Sequence, residues 1–95
     1  MSGDIVELRR ELDEIDRELV ALFERRMEVS RQVAEYKQKR GLPVLDESRE
    51  EQVIVSRTAM LKDHELDSSV KALYKEIMRL GREEQERLMK RGRQK

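Results

Sequence analysis

Ile5, Leu8, Leu12, Ile15, Leu19, Leu22, Val29 and Val33 follow one another in steps of three and four, the period of a single helical face. One step of that stripe lands on Arg26 instead of an apolar residue. The spacing predicts a helix over about residues 5–40, roughly 35 residues and about 50 Å long. Gly41-Leu42-Pro43 ends it, because proline cannot continue a helix arriving from upstream. Asp46 is placed to cap a second helix over 47–62, carrying Val53, Ile54, Met60 and Leu61 on its apolar side. A weaker break at Asp63-His64-Glu65-Leu66-Asp67 precedes a third helix over 67–91, capped by Asp67 or Ser68. Its stripe is Val70, Leu73, Tyr74, Ile77, Met78, Gly81 and Leu88, with Gln85 inside it. Strand signals and internal repeats are absent. The pattern predicts one all-α domain over 1–95, built of a long, a short and a medium helix. Met1-Ser2-Gly3 is assigned no role, and the basic stretch Lys90–Lys95 is expected to fray.

Composition changes this picture in one respect. At 95 residues, with 37% apolar residues and only Phe23, Tyr36 and Tyr74 aromatic, three helices have little with which to fill a core. A rod of the first helix's length finds cover only on another chain, most simply its own copy across a two-fold axis. An intertwined helical homodimer is therefore expected. Charge is abundant but balanced, with 21 basic and 21 acidic side chains. That balance argues against a dedicated nucleic-acid partner without excluding a local basic pocket. With no cysteine and His64 as the only histidine, thiol chemistry, the usual zinc sites and a histidine-based triad are not expected. No apolar run approaches membrane-spanning length and no signal-peptide core opens the chain, so no membrane partner is expected and the expected location is the cytoplasm.

Most charges solvate outer helix faces or pair with neighbours, as Glu24, Glu28 and Arg31 are spaced to do. The informative polar residues interrupt apolar stripes. Arg26 lies between Leu22 and Val29, and Lys37 lies eleven residues later, about 20° around the helix and some 16 Å along it, so both face one groove. A buried guanidinium demands an anion. That anion is either a ligand or a glutamate of another helix, and a register-setting polar residue of a coiled coil remains a third possibility. Gln85 breaks the third helix's stripe, and its amide can equally bond another buried side chain. Arg49 and Glu50 sit one turn into the second helix, where Glu50 is electrostatically favoured without any function. Taken together these positions describe a cavity with several cations, an amide and a carboxylate, but no evident nucleophile, metal cluster or phosphate loop. Such donors suit a multiply anionic small molecule and a reaction needing no proton transfer.

Leu8-Arg9, Ile15-Asp16, Leu19, Leu22, Glu24-Arg25-Arg26, Val33-Ala34-Glu35-Tyr36-Lys37, Pro43-Val44, Asp46, Arg49-Glu50, Ile77-Met78 and Gln85 together resemble the small all-helical chorismate mutases. The resemblance spans about residues 5–88, and its most specific part runs from Lys37 through Pro43-Val44 and Asp46 to Arg49-Glu50. It implies a pericyclic rearrangement of chorismate to prephenate in phenylalanine and tyrosine biosynthesis, with no cofactor and no metal. It also implies roles. Arg26 would hold a substrate carboxylate, and Arg9 would hold a carboxylate in the other subunit's site. Lys37 and Gln85 would donate to the ether oxygen, Glu50 and the Asp46 backbone would hold the ring hydroxyl, and Arg49 would strengthen the positive field. Helix geometry supports the sharing of Arg9, which lies about 25 Å along the helix from Arg26 and roughly 100° around it. The chain departs from the family at Gly81, where serine is common, and Arg82 is the neighbouring candidate to compensate. The alternatives are an isochorismate pyruvate lyase on the same scaffold, a non-catalytic helical dimerisation module, or a regulatory mutase-like domain of a larger aromatic-pathway enzyme.

Overall fold

A computed structural model of the chain describes residues 4–93. Its elements are α1 (Ile5–Arg40), α2 (Glu47–Ala59), a 3₁₀ turn (His64–Leu66) and α3 (Asp67–Arg93). Among the described residues the architecture is all-α, and no helix is long and apolar enough to cross a membrane.

Local chemistry explains each boundary. Asp4 caps α1 by accepting a hydrogen bond from the Val6 N–H. Gly41 ends that helix in the left-handed region (φ 65°), and the Leu42 N–H closes back onto the Lys37 carbonyl at 2.9 Å. Glycine takes this conformation without the steric cost of a Cβ. Asp46 caps α2 through the Arg49 N–H. The second helix stops at Ala59, short of the expected residue 62. The Met60 and Leu61 N–H groups reach back three residues, to Arg57 and Thr58, which tightens the last turn. Asp63 then accepts from the Glu65 N–H and starts the 3₁₀ turn, which runs directly into α3. Helix α3 continues to Arg93, two residues past the expected bound of 91, and Gln94 and Lys95 of the stretch expected to fray lie outside the described residues. A Cβ at Gly92 would meet the amide end of the exposed Gln38 side chain at 3.0 Å, a contact that this flexible side chain relieves by shifting.

Helix α3 packs on both α1 and α2. Ser30 meets Gly81 and Gln38 meets Gly92, so the contacts advance together and α1 runs parallel to α3 along this stretch. Ala34, Val53, Met78 and Met89 form the buried apolar core, a small one. The N-terminal half of α1 has no part in it. Leu12, Leu19 and Leu22 are 56%, 56% and 59% exposed, and Leu8, Ile15, Val29 and Val33 of the same stripe are also exposed. The molecule is accordingly elongated, 57 × 28 × 14 Å, with a radius of gyration of 17.1 Å. A compact chain of this length has a radius of about 12 Å.

One polar contact clamps α1 to α3. Arg31 pairs with Glu84 at 2.7 Å rather than with its helical neighbours, and Arg87 approaches the same carboxylate. Hydrogen bonds from Arg87 and then Arg31 hold the Glu84 carboxyl below its ordinary value. A carboxylate depressed on folding stabilises the fold above the ordinary carboxylate range and loses that contribution as pH falls through the lowered value. Glu84→Gln should therefore lower the thermal midpoint at neutral pH by a few degrees, for a loss of about 1 kcal/mol or less. The gap between parent and variant should close in acid. Melting curves at neutral and strongly acidic pH check this, and a gap that persisted unchanged in acid would contradict it.

Candidate active site

Between the C-terminal half of α1, the start of α2 and the middle of α3 lies a cavity of about 290 Å³. Arg26 and Lys37 enter it from α1, Asp46, Arg49 and Glu50 from the start of α2, and Arg82 and Gln85 from α3. Val29, Val33, Val44, Val53 and Met78 supply its apolar wall. Of the residues singled out in the sequence, Arg26, Lys37, Asp46, Arg49, Glu50 and Gln85 are thus gathered in one place. Arg9 is not among them. It is exposed on the free half of α1, seventeen residues and about 25 Å of helix from Arg26.

The side-chain partners distinguish a ligand site from a set of internal ion pairs. Arg26 forms no salt bridge to a described residue, so the pairing with a glutamate left open by its spacing is not made within this chain. Lys37 donates to the Val44 carbonyl at 2.6 Å and to Gln85 Oε1 at 3.1 Å, both neutral acceptors. An ammonium has three N–H donors, so one remains. The Arg49 side chain reaches only the neutral Gln52, at 2.9 Å. Glu50 alone is neutralised, by Arg82 across the α2–α3 contact. Four cations line the cavity against the carboxylates of Asp46 and Glu50, leaving an excess of two positive charges.

Gln85 is buried, and its amide is held at both ends: Oε1 by Lys37, and Nε2 by donation to Ser30 Oγ at 3.0 Å. The orientation follows from chemistry, because a lysine ammonium can only donate and must therefore face the amide oxygen. The second Nε2 hydrogen has no acceptor among the described residues, and Gln85 lines the cavity. One polar lining residue, Ser30, escaped the sequence analysis, while Arg82, the candidate to compensate for Gly81, lines the cavity with its guanidinium on Glu50. Ser30 sits on the same face of α1 as Arg26, one turn on, but its hydroxyl is as ordinary there as any serine's. Its direction and that of Arg82 depend on how α1, α2 and α3 are set against one another, which helical periodicity does not encode.

The lining of this cavity suits a compact anion, with fixed donors and no activated nucleophile among the described residues, since the Ser30 proton is directed at the Gly81 carbonyl. Comparison with known proteins sharpens that reading. Residues 8–86 match the family model described as chorismate mutase type II. The chain is 30% identical over 70 residues to a chorismate mutase of Methanocaldococcus jannaschii, covering 74% of this chain and 71% of that protein. It is 41% identical over 51 residues to the T-protein of Haemophilus influenzae, covering 54% of this chain but only 14% of that longer protein. No solved structure matches significantly. The chain belongs to the chorismate mutase type II family and is an isomerase of the chorismate mutase type.

Proposed function

We propose that each cavity rearranges chorismate to prephenate by electrostatic preorganisation, and that it is completed by Arg9 of a second copy of the chain. The observation that carries this is the excess of two positive charges in a cavity whose Arg26, Lys37 and Arg49 lack carboxylate partners among the described residues. Chorismate brings two carboxylates, and its rearrangement breaks and forms bonds within one molecule without proton transfer. Arg26 meets one carboxylate. The free N–H of Lys37 and the free Nε2 hydrogen of Gln85 donate to the ether oxygen, which gathers negative charge as its bond to carbon lengthens. Such donors, fixed before the substrate arrives, bind that charge more tightly in the transition state than in the ground state. Glu50 and the Asp46 backbone hold the ring hydroxyl, with Arg82 keeping the Glu50 carboxylate in place. Arg49 adds to the positive field at the mouth.

The family resemblance assigns the second carboxylate to Arg9, which lies too far along α1 to reach this chain's own cavity in cis. The exposed stripe from Leu8 to Val33 supports a homodimer, because covering each half-exposed leucine or isoleucine is worth about 1 kcal/mol. An antiparallel pairing of two such helices brings Arg9 of one copy toward the Arg26–Lys37 groove of the other. Loss of chorismate absorbance with purified protein tests the activity. Mass analysis separates an isomer of unchanged mass from the pyruvate that a lyase would release.

Two variant series test the assigned roles. Arg26→Ala and Lys37→Ala should each lose about 3–4 kcal/mol of transition-state stabilisation, a rate loss of several hundredfold, while remaining folded and dimeric. Rates within a few-fold of the parent would remove the substituted residue from the site. Gln85→Glu should be active only in acid, since a carboxyl donates to the ether oxygen only while protonated, and its rate should fall as pH rises through its own titration. The parent, whose amide does not titrate, should keep its rate over that range. A flat profile for the variant would place Gln85 away from the reacting oxygen.

A further inference from the structure

The Gln85 amide is one link in a chain of donors that crosses from α1 to α3 and back. Lys37 Nζ donates to Gln85 Oε1 at 3.1 Å, Gln85 Nε2 donates to Ser30 Oγ at 3.0 Å, and Ser30 Oγ donates to the Gly81 carbonyl at 3.4 Å. Each link fixes the polarity of the next. The ammonium can only donate, so the amide oxygen must face Lys37 and the amide nitrogen must face Ser30. Ser30 then acts as acceptor, and its single proton goes to the remaining acceptor, the carbonyl of Gly81. Ser30, Gly81 and Gln85 are all buried, so no bulk water competes for these positions.

Gly81 is what admits this hydroxyl. A Cβ at position 81 would stand 3.3 Å from Ser30 Oγ and 3.9 Å from the Arg26 guanidinium, the first of these closer than ordinary packing allows. The absence of a side chain on α3 and the presence of a hydroxyl on α1 are therefore one arrangement. It works on an amide that has only one hydrogen left for a ligand.

From this we infer that Ser30 is a positioning residue: by accepting one Gln85 Nε2 hydrogen beside Gly81, it aims the other into the cavity. The inference rests on Gln85 as a donor to the reacting oxygen of the substrate. Ser30 itself touches no reacting atom. Without its hydroxyl the amide stays tethered only at its oxygen and swings about that point, and misplacement of a donor by about 1 Å costs up to about 100-fold in rate. Because the donor matters most when charge has developed, the loss falls on kcat and leaves KM nearly unchanged.

The test is a cycle of Ser30→Ala, Gly81→Ser and the double variant, each confirmed by circular dichroism and sedimentation to keep its helicity and assembly. Ser30→Ala should lower kcat between about 10- and 100-fold with KM within about threefold. Gly81→Ser alone crowds Ser30 Oγ and should also lower kcat. In the double variant a hydroxyl can return from α3 to about 2 Å from the point Ser30 Oγ held, and part of the kcat lost in Ser30→Ala should come back. A serine that only filled space would show its loss and its rescue in thermal stability, with kcat unmoved in all three variants. Ser30→Ala activity within twofold of the parent would overturn the inference, as would a double variant no better than Ser30→Ala alone. An inactive parent would instead overturn the mutase function itself, so the two failures are distinguishable.

Discussion

From Leu8 to Leu22, α1 carries an apolar stripe that stays exposed along its whole length, with nothing in its own chain lying over it. A helix extended so far from its core is not held by propensity alone, since helices in proteins gain most of their stability from tertiary packing. Three consequences meet here. The elongated shape follows from the stripe, the requirement for a second copy follows from its exposure, and the distance between Arg9 and Arg26 follows from the straight path of the helix. In the proposed dimer the same surface that stabilises the chain delivers Arg9 to the other copy's cavity. Assembly and catalysis then become one property of α1.

Inside the cavity the balance is reversed, and stability gives way to function. A fold selected only for stability would pair Arg26 and Arg49 with carboxylates, as it pairs Arg31 with Glu84 and Arg79 with Glu76 and Glu83 on the outer faces. Instead these guanidiniums meet no acid among the described residues, Lys37 is held by neutral oxygens, and Glu50 is occupied by Arg82. The positive field is left uncompensated where a dianion fits. The neutral partners of Lys37 fix its position without quenching its charge, which is what a preorganised donor requires.

Much of this was legible in the sequence because helix punctuation is local. Gly41 and Asp46 bound their helices through contacts within a few residues, and the stripes interrupted at Arg26 and Gln85 mark the groove directly. Legibility failed where the deciding contact is between helices. Arg31 looks like a partner for Glu28 on its own helix but bonds to Glu84 on α3. Ser30 carries no signal until Gly81 and Gln85 stand opposite it. The end of α2 at Ala59 was missed for a different reason: the tightened turn there competes with one more turn of helix by a small margin, and periodicity cannot weigh the two.

The most direct measurement of the link between assembly and catalysis mixes two inactive proteins, an Arg9→Ala chain and an Arg26→Ala chain. In a heterodimer, one cavity lacks both arginines while the other takes Arg9 from the Arg26→Ala chain and Arg26 from the Arg9→Ala chain. Random exchange of equal amounts makes about half the dimers mixed, each with one working site of two, so about a quarter of the parental activity should return. If both arginines acted within one chain, every cavity in every mixture would lack one of them. Failure of activity to return, with heterodimers confirmed by native mass spectrometry, would contradict the shared site.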